Sequence, residues 1–265
     1  MNILTYGNDK RVSVCRYRIE ERLERMTDPV PDLSRILLLP IPSSKDEKTV
    51  NGTNISLSDL LPLAAPGTLT VGYGLPDAFR LGIRERGGLI ADVSRDEEFG
   101  RENAALSALG VLGYLLNTSP CAPADLTVGI VGYGRIGREL LRMLLFLGAD
   151  VRVYSGKETV CHELGKYGVP AVRVCYGRDE KTDFSGLSVL VNTAPALLVR
   201  AEDLPDPPPR ILEVASGDNL PASLPVERLP SLPGRMYPES AGIAYADAVF
   251  RMLLGTPTKK GTESK

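Results

Sequence analysis

The stretch Thr127-Val128-Gly129-Ile130-Val131-Gly132-Tyr133-Gly134-Arg135-Ile136-Gly137 decides how this chain is read. Four of its first five residues are β-branched, which predicts a short buried strand. Glycines follow at 132, 134 and 137, and Arg138 to Leu147 has helical apolar spacing closed by Gly148. A lone G-x-G-x-x-G run is weak evidence; a strand before it and a helix behind it give it physical meaning. The first glycine permits a tight turn, the second lets a diphosphate approach the backbone, and the third lets helix pack on strand. The helix N-terminus then presents amide N–H groups and a favourable dipole to the anion. Gly132, Tyr133, Gly134, Arg135, Ile136 and Gly137 are therefore the expected diphosphate cradle, and a nicotinamide dinucleotide is the expected ligand.

Working outward, Val151 to Tyr154 is the next strand, and the residues after it choose between NAD and NADP. An NAD site places Asp or Glu there to hold the ribose 2′-hydroxyl. This chain has Ser155, Gly156 and Lys157 instead, with Glu158 slightly late. Lys157 suits a 2′-phosphate, so NADP is favoured over NAD. Asn192-Thr193-Ala194-Pro195 ends a further strand, and Ala215-Ser216-Gly217 the one after. Ligands of open α/β sheets lie beyond the carboxyl ends of the strands, so Asn192, Thr193, Ala194, Pro195 and Ser216 are expected at the cofactor.

Short apolar runs alternate with helical segments along the whole chain, the pattern of an α/β protein with parallel sheets. Strands are expected at Ile3 to Tyr6, Arg35 to Leu39, Thr68 to Val71 and Leu89 to Val93, giving a smaller first domain of residues 1–95. A helix from Asp96 to about Asn117 connects it to a doubly wound Rossmann domain of residues 96–255. Strands at Ala171 to Cys175, Val189 to Asn192 and Arg210 to Val214 continue that domain, and Ala241 to Leu254 is its last helix. Thr256 to Lys265 reads as a disordered tail.

Composition narrows the partners. Of 265 residues, 43% are apolar and 24% charged, ordinary for a folded globular protein, and the net charge of −2 gives no basic field for nucleic acid. No apolar run reaches the length of about eighteen residues that a membrane span needs, and no signal peptide is expected from the first residues. A cytoplasmic location is expected. Cys15, Cys121, Cys161 and Cys175 are too scattered to form a metal site with the single histidine, His162. That histidine falls on the helix after the second cofactor strand, away from the expected nicotinamide position. The chain thus lacks the histidine acid–base of a hydroxyacid dehydrogenase, and no catalytic residue is assigned. Substrate contacts are expected from Ser43, Ser44, Asn51 and Gly52 after one strand and Gly72-Tyr73-Gly74 after another. Asn103 and Ser107, four apart on the connecting helix, are further candidates.

Taken in order, these motifs resemble the A subunit of dipicolinate synthase. The resemblance runs through Gly7-Asn8-Asp9-Lys10-Arg11, Leu39-Pro40, Asn103 through Gly110, the glycine motif, Asn192 to Pro195, Leu212-Glu213-Val214-Ala215-Ser216, and Leu232 to Gly242. It implies two domains: a C-terminal Rossmann domain and a smaller, flavodoxin-like parallel sheet, related to 2-hydroxyacid and alanine dehydrogenases. It also implies NADP-dependent dehydrogenation of a dihydrodipicolinate-type cyclic dicarboxylate during sporulation. A flavoprotein B subunit is the implied partner, and Glu239 and Ser240 are implied near the substrate. A homo-oligomer is expected from the apolar last helix. Leu109 stands where the family has Glu, Glu239 where it has Lys, and Gly217-Asp218 where Arg-Pro follows Ala-Ser. Between Met26 and Arg35 there is room only for a turn, so one βα unit is missing. Arg11, Arg80, Arg95 and Arg101 remain as cations for a dicarboxylate. The alternatives are a nucleotide-binding protein of regulatory or assembly role, without catalysis, and a dehydrogenase of another 2-oxo or 2-hydroxy acid.

Overall fold

The computed structural model describes residues 1–26, 33–174 and 181–254. The chain divides into two compact units, one of Met1–Asn103 with the C-terminal segment from Pro233, the other of Ala104–Leu232. The expected tail, the turn after Met26 and Cys175 fall wholly or partly outside the described residues.

In the first unit, β1 (Asn2–Thr5), β2 (Arg35–Leu38), β3 (Thr68–Gly72) and β4 (Leu89–Asp92) form, among the described residues, one parallel sheet in consecutive order. A flavodoxin-like sheet orders its strands 2-1-3-4-5. Taking away its second strand leaves consecutive neighbours, in keeping with a missing βα unit after α1 (Lys10–Arg25). Asp9 caps α1 by accepting the Arg11 amide at 3.1 Å, and it also holds the Arg11 guanidinium at 2.7 Å. That guanidinium is buried and donates to the Ile41 carbonyl at 2.8 Å. Arg11 therefore fixes the chain beyond β2 and is not a spare cation. The loop after it leads to the short α2 (Leu57–Leu60), started by a reciprocal Ser56–Asp59 capping box, and α3 (Asp77–Glu85) joins β3 to β4.

The sequence pattern assigns the C-terminal helix to the Rossmann domain, but its contacts group it with the first unit. This helix, which follows the short turn of helix Leu232–Met236, spans Pro238–Leu253. Ala241, Ala244, Tyr245, Ala248, Val249 and Phe250 are buried, most of them in the same core as Ile3, Cys15, Ile19 and Ile36, and Gly242 lies against Val14 of α1. The expectation of pairing through an apolar last helix loses its basis, because α1 covers that face. Arg251 adds a two-pronged ion pair to Asp96 at 2.9 and 3.0 Å. Tyr245 is wholly buried and its hydroxyl donates to the Leu39 carbonyl at 2.9 Å. Tyr245→Phe leaves that buried acceptor empty and is expected to cost about 1–2 kcal/mol, read as a lower denaturant midpoint at unchanged m-value.

The second unit begins within α4 (Glu97–Thr118), the connecting helix. Among the described residues its sheet has six parallel strands: β5 (Thr127–Val131), β6 (Asp150–Ser155), β7 (Ala171–Arg173), β8 (Val189–Asn192), β9 (Arg210–Glu213) and β10 (Val226–Arg228). The order β10-β9-β8-β5-β6-β7 is the doubly wound Rossmann order, with its switch point between β5 and β8. The helices α5 (Arg135–Phe146) and α6 (Glu158–Lys166) follow β5 and β6. β10 has no counterpart in the sequence reading: the four residues between Pro225 and Pro230 give too short a pattern. Glu227 secures this edge strand by accepting from Arg210 at 2.6 Å and from Tyr114 at 2.6 Å, which hold its carboxyl down at about 2. No described helix is long and apolar enough to cross a membrane.

Candidate dinucleotide-binding site

The glycine turn sits at the switch point of the six-stranded sheet. Gly132 leaves β5 at φ +92°, a conformation that disfavours side chains, and its amide donates to the Tyr154 carbonyl at 2.8 Å. Helix α5 starts at Arg135, three residues earlier than its apolar spacing predicts, because Gly134 serves as its N-cap. Its first helical bond runs from the Arg138 amide to Gly134 at 3.0 Å, so the amides before it face the helix N-terminus. The three glycines then separate by function. A Cβ at Gly137 would fall against the Gly132 carbonyl oxygen, whereas a Cβ at Gly134 would meet nothing within 4 Å. Gly137 is needed by the fold; Gly134 keeps a space open before the helix. That space suits a diphosphate. Tyr133 and Ile136 are packed against the core, the Arg138 guanidinium lies over the Tyr133 ring at 5.1 Å, and Arg135 is exposed.

Across the switch point the turn after β8 is tied to this loop. The Thr193 amide donates to the Val131 carbonyl at 2.8 Å, and its hydroxyl reaches the Val131 and Gly132 carbonyls at 3.0 and 3.2 Å. Ala194 packs beside Gly132, Pro195 is exposed and Ser216 lies near the surface of the turn after β9. The Asn192 side chain does not face outward. It is buried, and its Nδ2 donates to both carboxylate oxygens of Glu213 at 3.1 and 3.2 Å. Glu213 is itself buried, and desolvation pushes its carboxyl above the ordinary value against the hydrogen bonds from Asn192 and the Ala215 amide. Sequence reading gives Glu213 no role. An acid inside the apolar run Ile211-Leu212-Glu213-Val214-Ala215 is the available signal.

At the end of β6, Ser155 is buried and its hydroxyl accepts the Lys157 amide at 3.2 Å, while Gly156 and Lys157 are exposed. Arg173, the register partner of Ser155 on β7, pairs with Glu158 at 2.8 Å. The acid closest to the place of a 2′-hydroxyl ligand is thus held by a neighbouring cation, and Lys157 and Arg173 flank the strand end. His162 is exposed on α6.

Of the candidate substrate residues, Ser43, Ser44, Asn103, Glu239 and Ser240 belong to the first unit and Ser107 to the second. Ser43 is fully buried; its hydroxyl accepts the Tyr73 amide at 2.7 Å and its carbonyl the Asn51 amide at 2.9 Å. It ties the loops after β2 and β3 together and has no surface to offer a ligand. The Ser44 hydroxyl donates to Asp46 at 3.0 Å. Glu239 and Ser240 are exposed in the first turn of the C-terminal helix, Asn103 is half-buried, and Ser107 is buried. Arg80 pairs with Asp77 at 3.3 Å, and Arg95 and Arg101 are exposed. Among the described residues, no three metal-ligating side chains converge, and Cys15, Cys121 and Cys161 form no disulfide.

No family model and no curated relative matches the chain. Solved structures do. The A chain of dipicolinate synthase from Bacillus subtilis is 17% identical, with 96% of each chain covered and a TM-score of 0.76. The Bacillus halodurans counterpart is 16% identical over 95% of this chain and 97% of that one, with a TM-score of 0.70. An L-alanine dehydrogenase is 14% identical over 96% of this chain and 89% of that one, at 0.57. In its fold, the chain is similar to the A chain of dipicolinate synthase and to alanine dehydrogenase.

Proposed function

We propose that this chain is an NADP-dependent oxidoreductase of the dipicolinate synthase A type. The observation that carries the reading is the open space at Gly134, set before the first-turn amides of α5 at the switch point of a Rossmann sheet. A nicotinamide dinucleotide bound there supplies a hydride acceptor. The substrate would be a dihydrodipicolinate-type cyclic dicarboxylate, which on losing a hydride and a proton becomes the aromatic pyridine dicarboxylate. Action during sporulation and a flavoprotein partner belong to the same reading through the resemblance, and a cytoplasmic location through the composition.

Preference for NADP is supported by Lys157 and Arg173 at the end of β6 and by the engagement of Glu158 with Arg173. Calorimetric titration of the full chain is expected to show NADP binding more tightly than NAD. Lys157→Ala is expected to weaken NADP about fivefold and leave NAD unchanged, since one charge-assisted contact at an exposed site is worth about 1 kcal/mol. Absence of heat with either nucleotide would end the reading. A second reading, a nucleotide-binding protein without turnover, is favoured by Glu239 and Leu109, which replace a cation and an acid of the family pattern. Appearance of NADPH absorbance with dihydrodipicolinate separates the two.

A further inference from the structure

One row of residues crosses the carboxyl end of the second sheet: Tyr154, Val131, Asn192, Glu213 and Arg228 are successive register partners on β6, β5, β8, β9 and β10. The glycine turn follows one of them directly, and the Asn192–Pro195 turn follows another. We propose that Glu213 is a positioning residue whose buried carboxylate holds the Asn192–Pro195 turn in the register a dinucleotide needs, and must be ionised to do so. The inference rests on the nucleotide reading above and adds a control of that same site.

Hydrogen-bond polarity carries the argument. An ionised carboxylate is acceptor only, so both its oxygens draw the Asn192 Nδ2 group. The Asn192 Oδ1 is thereby turned to accept the Ala194 amide at 3.2 Å, while Nδ2 also reaches the Ala194 carbonyl at 3.2 Å. This closes the turn that sets Thr193 on the Val131 and Gly132 carbonyls. Protonation turns one of the two accepting oxygens of Glu213 into an O–H donor set against the Asn192 NH2 group, so that Nδ2 keeps one acceptor of the two. Asn192 could take that proton only by presenting Oδ1, which would set its NH2 group against the Ala194 N–H, donor facing donor. In both arrangements Glu213 grips the turn less firmly, and with it the wall of the glycine loop.

A filler of the core would not be charged. The groups facing Glu213 are Asn192 from β8, the Ala215 amide and the Asn219 side chain from the following loop, and Arg228 from β10. The Arg228 guanidinium is ion-paired with Asp218 at 3.0 Å. Burial outweighs these partners and raises the carboxyl. The native state therefore binds this proton more tightly than the unfolded chain, and the contribution of Glu213 to stability falls as pH rises through that window. Nucleotide affinity should move the other way, rising as the group ionises. Opposite pH trends in stability and affinity mark a residue kept for function.

The test uses the full chain as wild type, Glu213→Gln and Glu213→Leu, titrated with NAD and with NADP between about pH 5 and pH 8, with thermal melting in parallel. NAD controls for the 2′-phosphate of NADP, which titrates in the same range. Wild-type affinity is expected to fall as pH is lowered, and the Glu213→Gln profile to be flat by comparison. At the high-pH end Glu213→Leu should bind about tenfold more weakly or worse, having lost a hydrogen bond to a charged group, and Glu213→Gln should be intermediate. Both variants should melt at or above the wild-type temperature there. If Glu213→Leu does not fold, the profile of Glu213→Gln decides alone. Variants that bind like wild type at high pH, or a Glu213→Gln profile parallel to that of wild type, overturn the proposal while leaving the nucleotide site standing. A wild type that binds neither nucleotide overturns both.

Discussion

Gly134→Ala is expected to fold and melt like the wild type and to lose about a hundredfold in dinucleotide affinity. The added methyl group meets no protein atom within 4 Å, and the backbone there, at φ −82° and ψ −163°, is extended and open to any residue. The change in helix capping is worth only a few tenths of a kcal/mol to about 1 kcal/mol. What the methyl does occupy is the space before the first-turn amides of α5. A diphosphate pushed back from them loses one or two charge-assisted hydrogen bonds of about 1.5–3 kcal/mol each. Thermal melting and calorimetric titration of the same sample check both halves. Wild-type affinity in a folded Gly134→Ala protein would mean that the diphosphate does not cross this turn.

Three residues on, the same substitution should do the reverse. Gly137→Ala drives its methyl group into the Gly132 carbonyl oxygen and to 3.2 Å from the Thr193 hydroxyl. Neither neighbour can yield cheaply. Gly132 is fixed by the hydrogen bond its amide donates to the Tyr154 carbonyl and by φ +92°, and the Thr193 hydroxyl is hydrogen-bonded to the Val131 and Gly132 carbonyls. Overpacking against backbone costs about 3 kcal/mol or more, which corresponds to a fall in Tm of about 10 °C at this chain length. Nucleotide binding should be lost together with stability. A Gly137→Ala protein that melts with the wild type would show that α5 does not pack on the glycine turn as closely as described.

The contrast between these two glycines is half legible in the sequence. Their spacing, with β-branched residues before and helical periodicity after, specifies the strand, the turn and the dinucleotide reading, because those features are local. Strands β1 to β9 are legible for the same reason, each an apolar run bounded by Gly, Pro or polar residues. The place of the last helix is not. Its apolar side chains announce burial on several sides, yet a periodicity names no partner, and the partner here is α1, more than two hundred residues earlier. The candidate site shows the same divide. Ser43 looks available because serines after strands usually are; only the approach of the loop after β3 buries it. Asn192 ends a strand where a cofactor contact is expected, and only the register of β8 with β9 reveals that its side chain is spent on Glu213.

The path of the chain through its two units bears on how the protein comes into being. The sheet around the glycine turn is complete in one continuous stretch, Ala104–Leu232, whereas the core beneath β1 to β4 includes Tyr245, Val249 and Phe250. On the ribosome, where segments fold in the order they emerge, the part made second can finish first. The part begun first must wait for almost the last turn of helix to be translated, exposing Ile3, Ile19 and Ile36 meanwhile. A chaperone or protease acting on the nascent chain would meet the amino-terminal sheet, not the Rossmann sheet, as its substrate.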